Sequence, residues 1–199
     1  MIAVLLIIIS CCPGGYEEAT SILQGVATGL VSGIVLLLVT GIKSKEYKQL
    51  TEIYNIIYES VLVFSKISLS YSDLLKKTYG GNLIDKDNFE FYVNLTKESC
   101  NKYKITLRTI QNLEYNGIQN NVIKNNIREF INYTDKQIKE INKIGERASN
   151  YKALDNKSLI KIKKELNSIN NKTSMISFQC LRLKDKINKQ REHIDNSLV

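Results

Sequence analysis

The sequence is poor in several residues that reactive sites depend on. Its 199 residues include one Pro (Pro13), no Trp, one His and four Cys. A Ser/His/Asp or Cys/His nucleophile arrangement would have only His193 to use. That residue lies between Glu192 and Ile194, near the end of a helical stretch, and reads as a solvated surface side chain. The four Cys form no CxxC pair, and one His cannot complete a His/Cys metal cluster. No P-loop or GxGxxG fingerprint occurs, so no cofactor and no catalytic residue is expected. Scarce Pro, with no long alternation of apolar and polar residues, argues against a β-rich fold. The largest gap is in basic charge. Residues 1–42 hold no Lys or Arg and only Glu17 and Glu18, a net −2. Residues 43–199 hold all 28 basic and the other 18 acidic residues, a net +10. An apolar, basic-free head ahead of a basic body excludes a simple soluble globule.

The stretch 19–42 reads ATSILQGVATGLVSGIVLLLVTGI and carries no charge. About 20 apolar residues suffice to cross the hydrocarbon core of a bilayer. Lys43, Lys45 and Lys48 follow at once, while Glu17 and Glu18 precede. Basic flanks stay cytoplasmic, so the N-terminus is expected outside the inner (cytoplasmic) membrane and residues 43–199 in the cytosol. The three lysines are expected to meet anionic lipid, at ~1 kcal/mol per basic residue near the surface. Residues 1–18 form a separate short segment. Met1–Cys12 (MIAVLLIIISCC) is apolar, but at about 1.5 Å per residue it reaches only roughly 18 Å. Pro13-Gly14-Gly15 then breaks the chain. Three readings stay open for it: a re-entrant or interfacial piece, a signal peptide without its basic n-region, or a lipoprotein signal in which Ile8-Ile9-Ser10-Cys11 precedes a lipidated Cys11.

Two rows repeat every four residues along the span. Ser21, Gly25, Gly29 and Gly33 give the small-xxx-small spacing that lets helix backbones approach closely in lipid. Thr20, Gln24, Thr28 and Ser32 form a polar row beside it. An amide such as Gln24 in hydrocarbon seeks a partner or water. From Ile34 to Val39 the helix is wholly aliphatic. One reading is a dimerising anchor, and a second is an incidental glycine pattern in a monomeric anchor. Another is a ring of spans whose polar row lines a lumen, with Leu36-Leu37-Leu38 as an apolar constriction able to gate by dewetting.

Four helical stretches follow. Tyr47, Leu50, Tyr54, Ile57, Val61, Phe64, Ser68, Tyr71 and Leu75 keep the alternating 3-4 spacing of helix packing. Gly80-Gly81 ends that stretch. Asp87 with Glu90 offers a capping pair for the next, which shows Val93, Thr96, Cys100, Tyr103, Leu107 and Ile110. Asn116-Gly117 marks a tight turn. A third helix carries Ile127, Ile131, Thr134, Ile138 and Ile141. Asp155 is a candidate N-cap for a last helix with Leu159, Ile162, Leu166, Ile169, Thr173, Ile176, Cys180, Leu183, Ile187, Gln190 and Ile194. The expected fold is therefore all-α: a single transmembrane helix continuing into a long antiparallel cytosolic four-helix bundle over 43–199. Cys100 and Cys180 fall on the seams and read as small buried hydrophobes.

Lysines 157, 161, 163 and 164 cluster at the start of the last helix, and Arg182, Lys184, Lys186, Lys189 and Arg191 near its end. Acidic residues interleave, which is the pattern of a solvated face rather than a nucleic-acid groove. The expected partners are membrane lipid, further copies of the chain and a cytosolic protein. In layout the chain resembles the small single-span accessory membrane proteins that accompany RNA-targeting type VI CRISPR effectors. The matching features are the span 19–42, the edge Lys43-Ser44-Lys45 and the all-helical body. That resemblance implies a ring-shaped assembly that permeabilises the host membrane during phage infection. A membrane-tethered coiled-coil adaptor or sensor, or a lipoprotein-like surface module, fits the same sequence.

Overall fold

A computed structural model of the chain describes residues 16–79, 86–148, 150 and 156–197. At the helix ends 16–23, 78–79, 86, 148 and 156 it describes the backbone alone. Met1–Cys12 with Cys11, the Gly80-Gly81 stop and the proposed Asp155 cap lie outside the described residues. Those residues form four helices and no strand: α1 (Tyr16–Tyr79), α2 (Lys86–Gln111), α3 (Asn121–Ala148) and α4 (Asn156–Asn196). The all-α expectation holds at that level. The chain divides into two compact units, one reaching Lys45 and one beginning at Glu46.

The second unit is a four-helix, bundle-like core in which neighbours run in opposite directions. Between α1 and α4, Ser65 bonds to Ser177 at 3.0 Å and Ser68 to Ser174 at 2.8 Å, so numbering rises on one helix as it falls on the other. The α1–α2 pair shows the same sense, with Tyr71 bonded to Thr96 and Phe64 stacked on Tyr103 at 5.7 Å. Lys186 donates to Asn126, and Lys172 to Gln137 and Glu140, across α3 and α4. Tyr103 reaches across the core to the hydroxyl of Thr173 on α4, 2.7 Å away.

One apolar core runs through the unit, from Leu50, Ile57, Phe64 and Tyr71 through Ile127, Ile138 and Ile141 to Ile162, Ile169, Ile176 and Ile187, each fully buried or nearly so. The α4 seam matches its 3-4 spacing at every position except Gln190, which is half-buried. The α1 stripe is wider than the a/d seam, because Ile53, Ile67 and Leu74 are also buried, as a globular-type helix face requires. On α2 the buried line is Tyr92, Thr96, Ser99, Tyr103, Thr106 and Ile110, so the helix is turned from the expected face and Val93, Cys100 and Leu107 are only half-buried. A close approach explains the turn. A Cβ on Gly145 of α3 would sit 2.6 Å from Cys100 Sγ and 3.3 Å from Thr96 Cγ2, so α3 packs against α2 there with room for hydrogen alone. The Asp87–Glu90 pair also differs from expectation. Lys86 is already helical, so Asp87 lies inside the first turn, where its charge complements the helix dipole.

The connection between α2 and α3 is structured. Asn112, Leu113 and Ile118 amides donate to Arg108, Ile110 and Tyr115 carbonyls, folding the chain around Asn116-Gly117. Leu113 and Ile118 are buried in the core. Asn120 caps α3: its Oδ1 accepts from the Val122 and Ile123 amides at 3.0 and 3.2 Å.

Candidate membrane-spanning and self-association site

The first unit contributes the apolar part of α1. Of the described residues, this is one helix long and apolar enough to cross a bilayer by length and composition, with none of its apolar window buried. Val31, Ile34, Leu36, Leu37 and Leu38 are all more than half exposed, Leu37 reaching 73%. Exposed apolar surface this continuous needs lipid or protein around it.

The small-residue row is open. A Cβ added at Gly25, Gly29 or Gly33 would meet nothing within 4 Å. Among the described residues, no contact asks for glycine at those three positions. The side chains of Thr20 and Ser21 lie outside the described set. In the polar row, Gln24, Thr28 and Ser32 are exposed. The Thr28 hydroxyl donates to the Gln24 carbonyl at 2.7 Å, so it is satisfied within its own helix. Thr40 does the same with the Leu36 and Leu37 carbonyls. Among the described side chains of the row, the Gln24 amide and the Ser32 hydroxyl are left facing outward. At the basic edge, Lys45 and Lys48 are exposed and Lys43 is half-buried and engaged.

Just past that edge lies a polar joint that the sequence reading missed. Glu46 is 5% exposed, and its Oε1 accepts from the backbone amides of Gln119 at 3.1 Å and Asn120 at 3.4 Å, at the head of α3. Asn120 Nδ2 in turn donates to Gln190 Oε1 on α4 at 2.9 Å. Gly117 faces the Gln49 amide here, and a Cβ at that position would push this side chain aside. Next to the joint, the Arg191 guanidinium lies 5.3 Å from the Tyr47 ring centre and 4.9 Å from that of Tyr54. Lys184 sits over Tyr54 and Tyr58 at 6.0 and 5.6 Å. Part of the basic cluster late in α4 thus packs against aromatic rings of α1.

Burial raises the pKa of the described thiols and of two core phenols. Burial pushes the Cys180 thiol up to about 12 and raises that of Cys100, Lys104 opposing the latter only in part. A thiol held protonated is a poor nucleophile. Burial likewise raises Tyr71 to about 12 and Tyr103 well above the ordinary phenol value. The hydrogen bond from Lys172 holds the Glu140 carboxyl below its usual range. His193 is exposed. Among the described residues no group of three or more His, Cys, Asp and Glu is placed to hold a metal ion. An open groove of about 290 Å³ runs between α3 and α4, over Phe130, Tyr133, Arg182 and Lys186.

No protein-family model, curated protein or solved structure matches this chain.

Proposed function

We propose that the chain is a single-pass membrane protein whose first helix continues from the span 19–42 into an antiparallel cytosolic four-helix bundle, and that it self-associates through the span. The observation that carries this reading is the open row of Gly25, Gly29 and Gly33 on a helix segment with exposed aliphatic side chains. Glycine costs helix stability of about 1 kcal/mol relative to Ala. Three at four-residue spacing make sense where another backbone comes close, which is how helices associate in lipid. Lys43, Lys45 and Lys48 orient the span with its N-terminus outside the inner membrane.

The exposed Gln24 amide favours an assembly around a polar lumen, and the layout's resemblance to type VI CRISPR accessory membrane proteins extends this to a membrane-permeabilising effector in prokaryotic anti-phage defence. A second reading, a dimerising anchor for a protein-binding bundle, is favoured by Thr28, whose hydroxyl needs no lumen. Oligomer size in lipid nanodiscs separates them: six or more copies support the pore, two the adaptor. Gly29→Ile should abolish span cross-linking, and unchanged cross-linking refutes span-mediated association. Induced expression should depolarise cells, with Gln24→Leu altering the effect. A normal membrane potential under induction refutes the pore.

A further inference from the structure

The connection between α2 and α3 carries the chain's single Asn-Gly step, Asn116-Gly117. Asn116 is exposed and Gly117 half-buried. The Ile118 amide closes the turn on the Tyr115 carbonyl at 3.2 Å. Among the described residues, neither the Asn116 side chain nor the Gly117 amide has a hydrogen-bond partner. Other asparagines are placed differently. Asn167 is followed by Ser168 inside α4, where successive amides are tied up along the helix. Asn196 is followed by Ser197, whose amide donates to the Ile194 carbonyl at 2.9 Å. Asn112 is followed by Leu113, whose amide donates to the Ile110 carbonyl at 3.2 Å. At Asn116 alone among these, a thermally labile side chain meets an unbonded main-chain amide, and that amide belongs to a glycine, with no side chain to block the approach.

We infer that Asn116 is a self-modification site, where the chain converts its own amide to a carboxylate and thereby loosens the joint at Glu46. The Gly117 nitrogen, giving up its proton to solvent base, attacks the Asn116 side-chain carbonyl carbon. The new C–N bond closes a succinimide ring as the bond to the side-chain nitrogen breaks, and ammonia leaves with a proton taken from solvent. Water then opens the ring at either carbonyl. One opening gives aspartate on an ordinary backbone. The other gives isoaspartate, in which the backbone runs through the side chain and gains a methylene. Water is the only co-reactant, and nothing is oxidised or reduced. The turn has little slack for that methylene. Leu113 and Ile118, on its two sides, are buried in the core. Gly117 lies against the Gln49 side chain of α1. The two amides that follow Ile118, those of Gln119 and Asn120, hold the Glu46 carboxylate.

The test ages the full chain in detergent at 37 °C and follows it by peptide mapping, with electron-transfer fragmentation to tell isoaspartate from aspartate. Conversion at Asn116 should run about tenfold ahead of that at Asn167 and Asn196, whose following amides must first open. It should speed up from pH 7 to pH 8, because the attacking amide has to lose its proton. Asn116→Gln, whose ring would be larger, should stay unconverted. The isoaspartate fraction, separated by ion exchange on its added negative charge, should melt below both the fresh chain and Asn116→Asp. In Glu46→Ala, where the joint is already lost, the gap between aged and fresh chains should shrink. No conversion at Asn116, conversion no faster than at Asn167 and Asn196, or a rate indifferent to pH each overturns the modification site. An isoaspartate fraction that melts with Asn116→Asp, or a gap of full size in Glu46→Ala, overturns its link to the joint.

Discussion

Glu46→Ala tests whether the joint at the head of α3 contributes to stability. The Glu46 carboxylate is almost fully buried and serves two backbone donors, the amides of Gln119 and Asn120. Deleting it leaves both without that acceptor, and a buried unsatisfied donor costs about 1–3 kcal/mol. The 3.4 Å bond is long and counts at the low end, so the expected loss is about 2 kcal/mol in total. For a unit of this size that lowers the melting temperature by about 4–8 °C. Glu46→Gln keeps an oxygen acceptor and loses only the negative charge, which is worth ~0.3–1 kcal/mol at a helix N-terminus. It should therefore lose less than half as much. Asn120→Ala removes the cap proper, for about 1 kcal/mol. Because both residues hold the same helix end, the double variant should fall short of the sum by more than about 0.5 kcal/mol. Thermal and urea unfolding of the full chain in detergent, followed by tyrosine fluorescence and far-UV circular dichroism, measures all four variants. Equal losses in Glu46→Ala and Glu46→Gln, or a Glu46→Ala melt indistinguishable from the parent, would refute the role assigned to the carboxylate.

Other expectations follow from the core. Thr173→Val strands the buried Tyr103 hydroxyl and should cost about 1–3 kcal/mol, with Tyr103→Phe added to it recovering part of the loss in urea titrations. Gly145→Ala forces a Cβ against Cys100 Sγ and should destabilise by about 1–3 kcal/mol; Cys100→Ala in the same chain should restore stability to the parent level or above it. Ile169→Ala empties a fully buried site and should cost about 2–5 kcal/mol in the same titrations. Alkaline pH should unfold the bundle. Cys180 and Tyr71 keep their protons to about pH 12 when folded, whereas the unfolded chain releases them near 9 and 10. Stability is therefore complete below about pH 9 and declines as pH rises toward 12. Cys180→Ala should make the first part of that decline shallower, and urea midpoints at a series of pH values would show it.

How much was legible in the sequence depended on the kind of signal each residue sends. The α4 seam from Leu159 to Ile194 was readable because nearly every buried position is aliphatic and the spacing runs unbroken. On α2 the same reading pointed to a neighbouring face, since Ser99 and Thr106 are buried but polar, while Val93 and Leu107 are apolar but only half-buried. Periodicity of apolar residues cannot find a face built partly on buried hydroxyls, of which Thr96 donates to the Tyr92 carbonyl. The joint at Glu46 was illegible for another reason. Its partners are main-chain amides more than seventy residues away, and backbone donors leave no mark in a sequence. For the span, uncharged length and glycine spacing were visible at once. That Thr28 satisfies itself within its own helix, while Gln24 and Ser32 face outward, was visible only in the fold.

The position of α4 has a consequence for how the protein is made. Its side chains complete the fold for all three earlier helices: Ser174 and Ser177 for α1, Thr173 for α2, and Lys172 and Lys186 for α3. On the ribosome α1 to α3 emerge first, and at ~5–20 residues per second α4 follows several seconds later. Throughout that interval Tyr103 lacks its Thr173 partner and the core lacks the buried isoleucines of α4, so the growing chain presents apolar surface to chaperones and proteases. A message cut short anywhere in α4 would yield a product marked for removal by that same surface. Quality control is thereby written into the order of synthesis.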